Sequence, residues 1–144
     1  IFNNLLKLNN NYKLIIVGNG SLKPKIIKKI NKLKLNDKVI LIDKFNNINE
    51  LINIFDIYLF PSIYEGFGLT LIENQVNNSY CITSTKVSKT TKISNKIEYI
   101  SLDKSSLEFA KIINNLDLKK ELVLDNKLDL KIFIENIDKI ISKI

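Results

Sequence analysis

The sequence predicts an α/β fold organised around a doubly wound parallel sheet. Short apolar runs of the kind that form strands alternate with amphipathic stretches five times along the 144 residues. Runs that are apolar at every position are typical of parallel strands buried on both faces. The stretches between them carry apolar residues at helical spacing, which indicates crossover helices. In such a sheet, ligands bind beyond the carboxyl ends of the strands.

Five strands follow from the apolar runs. The first run closes on Gly18 and the third ends at Pro61, so both stop at residues that interrupt a strand. The predicted strands cover residues 14–17, 39–42, 57–60, 81–84 and 97–101.

The helices are predicted from apolar spacing and from capping residues. Ser21 is expected to cap the first helix, with Pro24 tolerated in its first turn. The polar segment 85–96 is expected to be a long loop with one helical turn. The predicted helices cover residues 21–34, 49–55, 69–77 and 105–115, and residues 119–144 are expected to form one or two more.

Composition excludes several functional classes. The net charge is +7, but every one of the 22 basic residues is Lys. Because bidentate base and phosphate contacts favour Arg, we expect no nucleic-acid partner. With no His and a single Cys, a zinc site and a Ser-His-Asp triad are excluded, and we expect no metal and no cofactor. Cys81 lies in an apolar run and is expected to be a buried small residue rather than a reactive thiol.

Length and terminal features bear on organisation. No apolar run reaches the roughly 18 residues of a membrane span, and a lone Cys fits a reducing, cytoplasmic compartment.

Because no Met is present, we expect the chain to be one part of a longer protein. We predict one Rossmann-like α/β domain at residues 1–126 and an amphipathic helix at 127–144. Lysines at positions 23–34 form either a solvated helix face or a peripheral contact with the inner face of a membrane.

The segment from residue 60 to residue 73 is the strongest chemical signal. A buried strand runs into Pro61, then into a loop with Gly66 and Gly68, then into a helix. We expect both glycines to adopt positive φ and to let the backbone approach a ligand. The first N–H groups of the helix would form an anion site that suits a diphosphate. Glu65 and Glu73 bracket that position and can accept hydrogen bonds from sugar hydroxyls.

Other interpretations of the two carboxylates remain open at this point. They could be solvated side chains beside a helix start, or the acid pair of a glycoside hydrolase. A helix N-terminus between them suits a phosphate better than a neutral glycosidic oxygen. Gly18 and Gly20 form either a plain turn or a loop beside the ligand, because the third glycine of a dinucleotide fingerprint is missing.

The Glu65-Gly66-Phe67-Gly68-Leu69 run, with Glu73 eight positions after Glu65, resembles the E-x7-E signature of retaining glycosyltransferases of family 4. These enzymes have the two-domain GT-B fold. The flanks fit as well, since residues 15–20 are similar to the family's IVG-x-G. Segments around residues 74–84 and 92–102 are similar to a branch that makes bacterial capsule and exopolysaccharide. The resemblance covers about residues 1–115.

The resemblance implies roles by position. Glu65 would contact the donor sugar as the catalytic residue, and Glu73 would hold the nucleoside ribose. Lys44 and Phe45 would line the base as weaker candidates, together with Gly18 and Gly20 beside the donor. Asp43 stands where the family usually has Gly. The remaining donor-binding positions, which contact the sugar and the diphosphate, are Gly66, Phe67, Gly68, Leu69 and Thr70.

The resemblance also implies a reaction. A hexosyl group would move from a UDP- or GDP-sugar, with retention and without a metal, to a saccharide or lipid-linked acceptor. The acceptor would bind an N-terminal domain that this chain lacks, and the family's basic pair for the diphosphate precedes the region matching Ile1. We therefore expect the isolated chain to be inactive. The alternative is a noncatalytic α/β module that binds a nucleotide or a partner.

Overall fold

The computed structural model describes residues 1–123 as two compact units, and each is considered by itself. Unit 1 contains residues 1–54 and 100–117. Unit 2 contains residues 55–99 and, within the described part of the chain, residues 118–123. Strand pairs with established direction are parallel in both units, as the sequence predicts.

Unit 1 is built on one β-α-β element. Strand β1 (Leu14–Val17) pairs in parallel with β2 (Val39–Ile42), so that Leu14 lies opposite Val39 and Val17 opposite Ile42. Helix α2 (Lys23–Lys32) connects the two strands, as a parallel pair requires. The other helices of the unit are α1 (Phe2–Leu8), α3 (Ile48–Ile52) and α5 (Ser106–Asn114).

Helices α1 and α5 pack against each other in unit 1. Leu5 of α1 is buried, as are Phe109, Ala110 and Ile113 of α5. The Asn4 amide also donates to the Ser106 hydroxyl at 2.9 Å. This contact joins segments that are 102 positions apart in the sequence.

Unit 2 carries a three-stranded sheet in the order β3-β4-β5. Strand β3 (Ile57–Phe60) pairs in parallel with β4 (Tyr80–Ser84), and helix α4 (Leu69–Val76) connects them. A 3₁₀ turn (Lys89–Thr91) precedes β5 (Ile97–Ile100), whose last residue belongs to unit 1. All five residues of β4 are buried, as expected of a central strand.

The core of unit 2 lies between its sheet and α4. Leu71 of α4 and Cys81 of β4 are fully buried in one cluster with Val87 and Ile97. Tyr58, Phe60 and Tyr99 pack against this cluster from the sheet. The predicted burial of Cys81 is confirmed.

The five strands match their predictions to within one residue at each end, and the predicted turn inside residues 85–96 is the 3₁₀ turn. The predicted cap at Ser21 is wrong. Helix α2 begins at Lys23, with Leu22 at the N-cap and no side-chain capping bond. Ser21 lies in a turn before the helix, because the Lys23 N–H donates to Gly20 O at 3.0 Å. Helix α3 ends at Ile52, three residues earlier than expected, where Ile54 N–H closes a tighter turn onto Leu51 O.

Helix α1 is missing from the sequence-based assignment. Residues 119–144 are predicted to form one or two helices. Residues 119–123 have no regular structure, and the remainder lies outside the described residues. The predicted domain division after residue 126 also lies there and stays a prediction.

Candidate functional site

The loop after β3 is tied to the sheet at its base. Ser62 N–H donates to Phe60 O at 2.9 Å, and the Ser62 hydroxyl donates to Tyr64 O at 2.6 Å. The Ser84 hydroxyl, at the end of β4, donates to Ser62 O. These bonds fix the start of the loop to the carboxyl ends of two neighbouring strands.

The chain turns from this loop into α4 at Gly68. Residues 65–69 are called the Gly68 turn below. Gly68 is the N-cap of α4 and has φ 70° and ψ 35°, in the left-handed region that favours glycine. A Cβ atom on Gly68 would also lie 2.9 Å from Cγ2 of Thr91. Conformation and space therefore both require glycine at this position.

Gly66 differs from its prediction. Its φ is not positive, and a Cβ atom there would meet no atom within 4 Å. The expectation that both glycines adopt positive φ is therefore wrong for Gly66. The chain reverses only where it enters the helix, so Gly68 alone needs the left-handed conformation.

Glu65 closes the Gly68 turn through its side chain. Its Oε1 accepts a hydrogen bond from the Gly68 N–H at 3.3 Å, and its carboxyl group is half-buried. The first helical bonds of α4 are those from the Leu71 and Ile72 N–H groups to Gly68 O. The N–H groups of Leu69 and Thr70 thus have no acceptor within the helix. One carboxylate and the amino end of a helix meet at this point.

Glu73 lies one helical turn further along α4. It is exposed, and the helix ends three residues later. Two residues beyond Glu65, Phe67 is exposed over 43% of its surface, and Leu69 over 42%. Most of the predicted donor-binding residues of unit 2 are therefore exposed, whereas Glu65 is half-buried and Gly68 is buried.

Tyr58 lies beside this segment, inside β3. Its hydroxyl interacts with the side chain of Thr70 in the first turn of α4. Burial raises the pKa of Tyr58, and the nearby carboxylates of Glu65 and Glu73 raise it further. The phenol therefore remains neutral at physiological pH and interacts electrostatically with both of the predicted acidic residues.

The 85–96 loop contacts the Gly68 turn from another direction. The Thr91 hydroxyl lies 2.8 Å from the Tyr99 hydroxyl and donates to Ser88 O at 2.8 Å. Burial raises the pKa of Tyr99 as well, so this hydroxyl also stays protonated. Lys89 holds its ammonium 3.3 Å from the centre of the Tyr99 ring, a cation–π contact.

Gln75 joins the same loop to α4 and is fully buried. Its amide nitrogen donates to Thr91 O at 2.8 Å and to Leu71 O at 3.0 Å. Its Oε1 accepts from the Ile93 N–H and from the Ser94 hydroxyl, each at 3.1 Å. Both polar atoms of the amide are therefore satisfied, which is the condition for burying such a group.

The weaker candidates lie in unit 1. Gly18 follows β1 with φ 146°, a conformation that favours glycine, whereas Gly20 has neither positive φ nor any atom near an added Cβ. Lys44 and Phe45 follow β2 and are exposed. Next to them, Asp43 forms an ion pair with Lys23 at the start of α2. This ion pair ties the segment after β2 to the helix that follows β1.

Residues 1–123 contain neither a metal-binding cluster nor a membrane-spanning helix. No group of three or more His, Cys, Asp or Glu side chains in that part of the chain could hold a metal ion. Within the same residues, no helix is long and apolar enough to cross a membrane.

The sequence predicts the Glu65–Glu73 segment as the site but gives no indication of the side chains that pack beside it. Tyr58 reads as an ordinary strand residue, Gln75 as part of a helix, and Thr91 as part of a polar loop. One sequence signal could have indicated Gln75. It is a polar residue at a position of α4 where helical spacing predicts an apolar one, and its side chain is buried. Loop residues such as Thr91 give no periodic signal.

The family model described as glycosyl transferases group 1 matches residues 1–122. The putative glycosyltransferase EpsF of Bacillus subtilis is 30% identical over 78 residues, which are 54% of this chain and 20% of EpsF. The O-antigen biosynthesis glycosyltransferase WclY of Escherichia coli is 36% identical over 70 residues, which are 49% of this chain and 20% of WclY. The chain thus spans about a fifth of the length of these curated relatives.

A solved structure shows a similar fold. It is a point mutant of TarM from S. aureus in complex with fondaparinux, α-GlcNAc-glycerol and UDP. The TM-score is 0.69 at 24% identity, and the match covers 82% of this chain and 24% of TarM. At this identity the likeness shows the fold alone, and it confirms the predicted α/β class with parallel sheets.

Proposed function

The chain belongs to the glycosyl transferases group 1 family and has the Rossmann-like α/β fold of GT-B enzymes, and on that premise we propose that it is the donor-binding part of a retaining glycosyltransferase. The observation that carries the proposal is the Gly68 turn. There the carboxylate of Glu65 and the free N–H groups that open α4 lie at one accessible point.

The chemistry we propose for this turn is electrostatic. The N–H groups of Leu69 and Thr70 and the positive end of the helix dipole would stabilise the leaving diphosphate. The bond from the Gly68 N–H holds one oxygen of Glu65 at the turn. The other oxygen would accept a hydrogen bond from a donor-sugar hydroxyl and favour the developing positive charge on the sugar.

The remaining roles follow the resemblance to family 4. Glu73 would accept hydrogen bonds from the ribose hydroxyls, and the exposed Lys44 and Phe45 would line the base. Transfer would retain the anomeric configuration, would move a hexosyl group and would need no metal. The acceptor would bind an N-terminal domain outside this chain, and residues 127–144 would form an amphipathic helix.

The relatives support a nucleotide-sugar donor and a saccharide product. TarM was solved with UDP, and WclY is named for O-antigen biosynthesis. We propose a UDP- or GDP-sugar donor, a saccharide or lipid-linked acceptor, and a role in polysaccharide synthesis in the cytoplasm.

Helix α2 offers a contact with the inner face of an anionic membrane. None of its residues is fully buried, and Lys25, Lys28 and Lys32 are exposed. Ile27 lies among them with 40% of its surface exposed, and Leu22 precedes the helix with 65% exposed. Lysines beside exposed apolar side chains suit a peripheral membrane contact, since each Lys near anionic lipid contributes about 1 kcal/mol.

Calorimetric titration of the 144-residue chain with UDP and with GDP tests the donor role. We expect one of the two nucleotides to bind and Glu73→Gln to weaken that binding. Glu98→Gln is the matched control, because Glu98 is an exposed carboxylate on β5 of the same unit. If neither nucleotide binds, the donor role is wrong.

Glu65→Gln in the complete protein separates the enzyme from a noncatalytic module. We expect the rate of sugar transfer to fall by about 100-fold or more, because the charge that stabilises the transition state is lost. Nucleotide binding should persist through Glu73. Full transfer activity in the Glu65→Gln protein would exclude Glu65 as the catalytic residue.

A further inference from the structure

Three side chains form a row across one face of the sheet in unit 2. Tyr58 on β3 and Cys81 on β4 are partners in the parallel register, and Tyr99 lies on the next strand, β5. Both tyrosines pack against the core cluster that contains Cys81 and Leu71 of α4. Two phenols therefore flank a buried thiol on the face that α4 covers.

Each of the two hydroxyl groups is paired with a threonine that borders the Gly68 turn. The Tyr58 hydroxyl interacts with the side chain of Thr70, which lies two residues after Gly68 in the first turn of α4. Tyr99 is paired with Thr91 at 2.8 Å, and the Thr91 methyl group is the atom that a Cβ on Gly68 would strike. The Tyr58–Thr70 pair therefore borders the Gly68 turn on the side of α4, and the Tyr99–Thr91 pair borders it on the side of the 85–96 loop.

Both pairs involve a phenol that stays neutral. Burial raises the pKa of Tyr58 and of Tyr99, so neither phenol ionises near neutral pH. Removing either hydroxyl leaves the polar group of its threonine without that partner, while the ring can continue to fill its place in the core.

We propose that Tyr58 and Tyr99 are positioning residues of the donor site, each holding through its hydroxyl one threonine that borders the Gly68 turn. The inference rests on the proposed function, because this turn carries Glu65 and the N–H groups assigned to the donor. A turn that is held in place before the donor arrives does not have to be ordered during the reaction, which favours the transition state.

The test uses Tyr58→Phe and Tyr99→Phe in the complete protein, with Tyr12→Phe in unit 1 as the matched control. Transfer is measured as kcat per nucleotide-binding site, with the sites counted by calorimetry so that misfolded molecules are not included. Amide hydrogen exchange at Gly68 is measured in parallel. We expect each of the two variants to lose about 5- to 10-fold in kcat and to exchange faster at Gly68, and Tyr12→Phe to change neither.

Double variants then show whether each tyrosine acts through its threonine. In a Thr91→Val background, Tyr99→Phe should have no further effect on kcat, and Tyr58→Phe should have none in a Thr70→Val background. Additive losses, or unchanged kcat and Gly68 exchange in both tyrosine variants, would overturn the proposal. A wild-type protein that binds neither UDP nor GDP would instead overturn the proposed function and, with it, the donor role of the two pairs.

Discussion

Gly68 is subject to two independent constraints at a single residue. Its left-handed backbone disfavours any residue with a Cβ, and the methyl group of Thr91 occupies the place where that Cβ would lie. The neighbouring Glu65 is fixed by the Gly68 N–H. Any change at Gly68 therefore displaces the carboxylate that we assign to the donor sugar.

We expect Gly68→Ala to lower the free energy of unfolding by about 1–3 kcal/mol and to weaken nucleotide binding. Gly66→Ala is the control within the same loop, because Gly66 lacks positive φ and has open space around it. Chemical denaturation and calorimetry of both variants check this. Equal effects of the two substitutions would contradict the assignment of Gly68 as the constrained position.

Cys81 is predicted to be inert in the native protein. Burial raises the pKa of its thiol to about 12 from an ordinary value of 9.0. Between these two pH values the thiol stays protonated in the native state but ionises in the unfolded chain. The free energy of unfolding should therefore fall as the pH rises above about 9. Iodoacetamide at pH 8 should modify Cys81 only after unfolding. Rapid labelling of the native chain would contradict this.

The sequence indicates the acidic pair, the glycine at the turn and the buried thiol, because each has a local signal. Tyr58 and Thr91 could not be predicted as supporting residues. Their role depends on a sheet register and on a loop that returns to Gly68 from 23 positions away, and neither is encoded in local periodicity.

At the scale of elements, α5 has the most complete N-terminal cap among the described helices. The Ser105 hydroxyl accepts from the Glu108 N–H, and the Glu108 carboxylate accepts from the Ser105 N–H, which is a capping box. The hydrogen bond from the Ser105 backbone is the main cause of the lowered pKa of Glu108. The capping bonds to this carboxylate therefore weaken only when the pH falls below the ordinary range of a Glu side chain.

Ser105→Ala should lower the free energy of unfolding by about 1 kcal/mol. Ser21→Ala is the matched control, because Ser21 precedes α2 without capping it, and its effect should stay within about 0.5 kcal/mol. Urea denaturation of the two variants provides the comparison. A larger loss from Ser21→Ala would contradict the observed start of α2.

Strands were more predictable than helix ends in this chain. The apolar run at residues 14–17 lies between Lys13 and Gly18, so composition marks both of its boundaries, although none of its four residues is fully buried. Helix ends depend on which groups form the hydrogen bonds of the last turn. At α3, the bond from the Ile54 N–H to Leu51 O forms a tighter turn that ends the helix. Helix α1 was missed because it is short and because its burial against α5 depends on a contact with distant residues.

At the scale of the whole molecule, the net charge is +7 and all of the basic side chains are lysines. Several of these lysines lie close together on α2. We expect the chain to sediment with vesicles that contain anionic lipid at low salt and to dissociate at high salt. Replacing Lys25, Lys28 and Lys32 by Gln should abolish sedimentation. Binding that is insensitive to salt, or equal binding to neutral vesicles, would contradict an electrostatic contact.

The isolated 144-residue chain should bind a nucleotide without transferring sugar, because the proposed acceptor domain lies outside it. A radiolabelled donor assay with and without the remainder of the protein checks this. Sugar transfer by the isolated chain would show that the donor part is sufficient, contrary to the proposal.

Gln75 has an evolutionary consequence. Its buried amide is satisfied by four groups, three of which belong to residues 91–94. A mutation to an apolar residue would leave several of those groups without partners at once, so no single second mutation restores them. Position 75 should therefore show strong epistasis, with the 91–94 segment changing in a lineage only as a set and only together with this glutamine.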